Sequence, residues 1–103
     1  MKILPLVLVA LAFTNQVQAK ISSDCTFNGI PLYGRVQIVN SFPDFKVKTV
    51  DAFSDLDVQV VKSFPDRCGK WQFVDAFPDF KIQIVSAFED IKIRMVKSFP
   101  GIN

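Results

Sequence analysis

Histidine is absent from the 103-residue chain, which removes Ser-His-Asp and Cys-His catalysis, histidine-bound zinc and histidine acid–base chemistry. Cysteine occurs only twice, too few for a four-cysteine metal site, and the four glycines build no phosphate-cradling loop. An enzyme would have to work with carboxylates and lysines alone. The longest apolar run, Ile3 to Phe13, has eleven residues, well short of the roughly 20 that cross a bilayer as a helix. Charge of one sign is scarce as well. Twelve basic and ten acidic side chains leave +2, whereas nucleic acids and anionic membranes call for clustered basic charge. The absences predict no cofactor, no metal, no nucleic-acid partner, no membrane span and no enzyme.

The first 19 residues have the three parts of an export signal. Lys2 supplies the positive charge, Ile3 to Phe13 the apolar core, and Val17-Gln18-Ala19 the small residues one and three places before a cut. Cleavage after Ala19 would deliver the protein to the periplasm or the medium. A lipid anchor would need cysteine directly after the cut, and the first cysteine is Cys25. Removing residues 1–19 takes away Lys2 alone among charged residues, leaving 84 residues with eleven positive and ten negative side chains. A domain this short sits near the limit at which a hydrophobic core outweighs chain entropy. An oxidising compartment lets Cys25 and Cys68 close a disulfide, the alternative being two separate buried thiols.

The organising feature is an eleven-residue unit present six times. It reads GRVQIVNSFPD from Gly34, FKVKTVDAFSD from Phe45 and LDVQVVKSFPD from Leu56. After the insert Arg67-Cys68 it reads GKWQFVDAFPD from Gly69, FKIQIVSAFED from Phe80 and IKIRMVKSFPG from Ile91 to Gly101. The sixth place is always valine, the ninth always phenylalanine, and the eighth always serine or alanine. Shifting residues 34–66 by 35 places onto 69–101 gives 17 identities in 33, which predicts two pseudo-symmetric halves. The organisation is therefore a signal at 1–19, an N-terminal segment at 20–33 and a six-unit domain at 34–101.

Inside the unit, places one, three and five are mostly apolar and places two and four polar, a period of 2 that predicts strands. Valine, isoleucine and phenylalanine suit a pleated surface. An apolar sixth place breaks the alternation and predicts a bend or bulge that buries both sides. The Phe-Pro-Asp end reads as a corner, with proline biasing the phenylalanine before it to extended geometry and aspartate capping its own turn. Ser54 and Glu89 stand where other corners have proline, and Gly101 where others have aspartate. The fold class is all-β: a compact, repeat-built domain of six strand-and-corner units.

The SFPD and AFPD corners, the opening Ile30-Pro31-Leu32-Tyr33-Gly34-Arg35-Val36-Gln37-Ile38-Val39 and the mid-chain Cys68-Gly69-Lys70-Trp71-Gln72-Phe73 resemble the 7(1) septoil knot domain family. The resemblance covers about residues 30 to 102, with unit, insert and corner in the same order. It implies a compact β-rich fold with a deeply knotted backbone, and no biochemical activity. The residues themselves show no knot; periodicity alone predicts a β-solenoid or prism.

Two rows of side chains are candidate sites. Asp44, Asp55, Asp66, Asp79 and Asp90 could converge on one rim to bind calcium or act as a paired acid and base, although turn caps explain them as well. The second-place row, Arg35, Lys46, Asp57, Lys70, Lys81 and Lys92, has five cations in six. With Gln37, Gln59, Gln72 and Gln83 it would form a flat face able to grip a glycan or other polyanion, or a set of solvated charges that discourage edge pairing. Trp71 falls on an inward place and reads as core; Tyr33 precedes the units and fits either role. The leading expectation is a non-enzymatic, kinetically stable exported module with an envelope or extracellular partner, and the alternative is a polyanion binder using Arg35, Lys46, Lys70, Lys81 and Lys92. A carboxylate hydrolase ranks last.

Overall fold

A computed structural model describes residues 20–103; the expected export signal at 1–19 lies outside the described residues. Among the described residues all regular structure is strand. β1 (Thr26–Phe27) and β2 (Ile30–Pro31) form a short antiparallel hairpin. β3 (Gly34–Ile38), β4 (Phe45–Thr49), β5 (Leu56–Val60), β6 (Lys70–Phe73), β7 (Phe80–Ile84) and β8 (Ile91–Met95) follow, and β9 (Gly101–Ile102) ends the series. β3 to β8 lie parallel in the order β6-β3-β7-β4-β8-β5, and β5 pairs with β6 to close a six-stranded barrel. Closure leaves the barrel no long unpaired edge, so the lysines are not needed to blunt one.

Every barrel interface joins a strand of the first half to a strand of the second. Gly34 lies opposite Trp71 and Val36 opposite Phe80, so β3 is flanked on both sides by second-half strands. β4 lies between β7 and β8, and β5 between β8 and β6. The expected halves are thus interleaved, and the 35-residue shift moves each strand onto its immediate neighbour. Register is constant too: at each interface the first place of one strand faces the third place of the next, or the second faces the fourth.

Interleaving follows from what each corner does. The N–H of Val39 donates to the carbonyl of Ile82 on β7, and the N–H of Asp44 donates to the carbonyl of Lys81 on the same strand. Residues 39–44 therefore leave β3, arch over β7 and land as β4. Gln37 Nε2 on β3 donates to the carbonyl of Asp75 at 3.1 Å, which places corner 74–79 over the outer face of β3. Each regular corner thus skips one strand. The same step after β5 would land where β3 already stands, and the insert Arg67-Cys68 redirects the chain to β6, beside β5. After β8 the corresponding position is held by β6. The chain ends instead as β9, antiparallel to the stretch Leu56–Asp57 of β5 that β6 leaves open.

The corner phenylalanines depart from expectation. Phe42, Phe53, Phe64, Phe77, Phe88 and Phe99 all have φ between 54° and 62°, left-handed rather than extended, and are 79 to 95% exposed. For a non-glycine residue this conformation costs about 1–2 kcal/mol, and four of the six also precede proline, which disfavours it further. The hydrogen-bonded path over the crossed strand overrides the local preference. The sixth-place bulge is not formed either. The valine N–H extends the ladder by one bond, to the third-place carbonyl of the neighbouring strand. Fifth-place side chains lie at an open end of the barrel, with Ile38, Val60, Phe73, Ile84 and Met95 37 to 50% exposed.

The core is made by places one and three. Trp71, Val36, Val47, Val58, Leu56, Ile82 and Ile91 have no exposure, and Phe45, Phe80 and Ile93 have 2%. Trp71 is matched by absent side chains: Gly34 lies opposite it and Gly69, just before β6, takes the first place of its unit. Its indole N–H donates to the Leu32 carbonyl at 3.1 Å, and its ring packs edge-on against Phe80 at 5.5 Å. Phe80 stacks on Phe45, and Phe45 meets Phe27. Ile21, Cys25 and Leu32 join the same cluster, so the N-terminal segment plugs the end where the strands begin. Cys25 and Cys68 form the expected disulfide.

Candidate functional site: the barrel wall and its seam

Second-place side chains point outward from the wall. Arg35, Lys46 and Lys81 are exposed, while Lys70 and Lys92 are half-buried. They do not make the flat basic face that the sequence row suggests, because barrel closure distributes the five over five strands around the circumference. The amide row is partly spent as well, Gln37 being bonded to the corner above it.

The aspartates have a structural task that differs from both sequence readings. Asp44 Oδ2 accepts the Lys81 backbone N–H at 2.7 Å, while the Asp44 N–H donates to the Lys81 carbonyl. The same reciprocal clamp links Asp55 to Lys92, Asp79 to Arg35 and Asp90 to Lys46. Each carboxylate ties its corner to a strand 37 or 44 residues away, instead of capping its own turn. The row does not converge: among the described residues no three metal-ligating side chains cluster. The clamps bind backbone, and among the described residues none of the four side-chain cations above them forms an ion pair.

The four clamped strands β3, β7, β4 and β8 are consecutive around the barrel. The remaining two, β5 and β6, form a seam with different chemistry. Asp66 turns back, its N–H donating to the Phe64 carbonyl, and Gly101 supplies no carboxylate over β5. Asp57 on β5, the one acid in the second-place row, is buried at 6% exposure. Arg94 grips it with Nε at 3.0 Å and a second nitrogen at 2.7 Å, Ser54 Oγ–H donates at 2.8 Å, and Asn103 Nδ2 donates at 2.9 Å. Arg94 holds the Asp57 carboxyl below the ordinary carboxylate range, outweighing burial, which pushes the other way, with Ser54 and Asn103 adding to the effect of Arg94. No buried side-chain polar atom among the described residues lacks a partner.

Sequence reading missed this network, although its signal was present. Ser54 replaces a proline, Asp57 replaces a cation and Arg94 replaces a glutamine or lysine; the three exceptions to the unit meet at one point. Asn103 follows the last unit and carried no signal. Trp71 is core as expected, and Tyr33 is 38% exposed, beside Pro65 and Gly34 in a shallow depression.

Beside the Asp57 network the seam opens into a groove of about 490 Å³ between the mid-chain insert and the C-terminal corner. Arg67, Lys70, Gln59, Ser98, Phe99 and Pro100 line it, with Cys68 at its side. No helix among the described residues is long and apolar enough to cross a membrane.

The sequence profile of the 7(1) septoil knot domain matches residues 29–103. An uncharacterized protein of Synechocystis sp. (strain PCC 6803) is 60% identical over 48 residues, 47% of this chain and 43% of the relative. The matched part thus spans less than half of that curated relative.

Proposed function

Because the chain belongs to the 7(1) septoil knot domain family, we propose that it is a non-enzymatic, kinetically rugged exported module that acts by persistence and by surface contact. The carrying observation is the interleaved strand order, in which each barrel interface pairs the two halves of the chain. Five of the six interfaces close loops of 37 or 44 residues, so neither half has sheet partners of its own. Non-local pairing of this kind slows folding, and a barrier that must break many such pairs together protects the native state. The deep knot for which the family is named belongs to the same proposal, supported by a second half that weaves between every pair of first-half strands.

Export through residues 1–19 completes the reading, and the Cys25–Cys68 disulfide suits a periplasmic or extracellular address. Surface contact has its support in the corners. Six phenylalanines accept a costly backbone conformation while contributing little burial to the fold, and rings held outward on rigid corners suit contact with an apolar surface. The polyanion alternative has less support, since closure spreads the cations around the circumference. Incubating the oxidised protein with protease in moderate denaturant tests the proposal. Survival on the order of hours is expected for a high unfolding barrier, and digestion within minutes contradicts it.

A further inference from the structure

We propose that the seam groove binds a small organic anion, a carboxylate carried on a planar apolar body. The inference gives the surface-contact role proposed above a ligand class and rests on that role for its biological use. Two cations face the groove, Arg67 and Lys70, and no acidic residue lines it. Among the described residues the ion pairs are Lys20 with Asp55 and Arg94 with Asp57, so neither groove cation is engaged by a carboxylate. The wall cations Arg35, Lys46, Lys81 and Lys92 form no ion pair among the described residues either, and what sets the seam apart is its backbone. Four second-place cations have an aspartate clamped to their own backbone; Lys70 does not, its N–H donating instead to the Arg67 carbonyl at 2.9 Å.

The rest of the lining supplies both halves of a recognition chemistry. Gln59 and Ser98 offer neutral hydrogen-bond donors, and Phe99 with Pro100 forms an apolar wall. A groove of about 490 Å³ falls within the roughly 300–1,000 Å³ range of small-molecule sites. The floor is fixed before any ligand arrives. Cys68 is tethered to Cys25, Gly69 N–H donates to the Leu32 carbonyl, and Gln59 N–H donates to the Gly69 carbonyl. An added Cβ at Gly69 would lie 2.5 Å from the Asp57 carbonyl oxygen and 2.8 Å from the Gly101 nitrogen, so insert and C-terminal corner are packed backbone to backbone. A backbone that need not rearrange keeps the ordering cost of binding to the side chains.

The test is an NMR titration of the oxidised protein with benzoate, and in parallel with benzamide, its uncharged analogue. Saturable benzoate shifts are expected at the amides of residues 67–70 and 98–99, with benzamide binding about tenfold more weakly, the difference one charge-assisted contact makes. Arg67→Gln and Lys70→Gln should each weaken benzoate binding by a similar factor, while Lys81→Gln on the clamped wall leaves it unchanged. Absence of saturation, equal binding of benzamide, or equal loss in Lys81→Gln would overturn the assignment. Because each variant is also checked for protease resistance, a groove that fails in a protein that resists digestion refutes the site and leaves the rugged-module reading standing.

Discussion

The clamped wall and the seam are built from the same unit and solve opposite problems. Around β3, β7, β4 and β8 each corner steps over one strand and is locked by an aspartate, and the pattern can repeat because the next position is empty. At β5 and β6 it is occupied, so the chain must be redirected, stapled and finished. The wall is therefore held by many equivalent two-bond clamps, whereas the seam depends on unique contacts: a disulfide, a glycine with no room for a side chain, and one buried carboxylate with three partners. Regularity distributes stability, and the break in regularity concentrates it while leaving a groove of about 490 Å³.

Substitutions matched between the two regions sharpen the contrast. Gly69→Ala at the seam meets two backbone atoms within 2.8 Å at a φ of 84°, and overpacking with left-handed strain should cost about 3 kcal/mol. Gly34→Ala on the wall carries positive-φ strain too, at 130°, but the Asp79 side chain it meets can move at the expense of its clamp where backbone cannot, so a smaller loss of about 2 kcal/mol is expected. Equal losses in chemical denaturation would erase the distinction. Among the aspartates, Asp44→Ala should cost about 1.5–3 kcal/mol for a charge-assisted bond to a backbone amide. Asp66→Ala, which breaks no clamp, should stay within about 0.5 kcal/mol.

Acid also acts on the seam. The folded-state value of Asp57 lies below its unfolded value, so between the two the unfolded chain holds more protons and stability rises with pH. The contribution is complete above about 4, the ordinary aspartate range, and is lost as pH falls toward the folded value. Asp57→Asn should flatten that part of the acid limb, and an unchanged pH profile would mean that the network carries no linked stability. One substitution should be a gain. Phe88, 92% exposed at φ 62°, should yield about 1 kcal/mol when replaced by asparagine, which tolerates the left-handed region.

Much of the architecture was legible because a period of 2 between fixed corners has one physical meaning. Strand positions, the inward Trp71 and the pairing of the two cysteines follow from side-chain chemistry and the limits of chain length. The family resemblance, carried by corner, opening and insert, was the one route by which an unusual chain path could be anticipated. Interleaving was not visible in the unit itself, since a corner that skips a strand looks the same as one that turns to the adjacent strand. For the same reason the aspartates were assigned to their own turns: the amides they bind are brought near only by closure. The phenylalanines depart from their local preference before proline because long-range bonds impose the left-handed conformation.

Native-state hydrogen exchange across β3 to β8 bears most directly on the interleaved barrel. If each strand of one half is held only by strands of the other, no half can open alone, and protected amides in all six strands should converge on a single unfolding free energy as denaturant rises. A lower plateau for β3, β4 and β5 together, with β6, β7 and β8 still protected, would show a half that opens as a unit and would contradict the account.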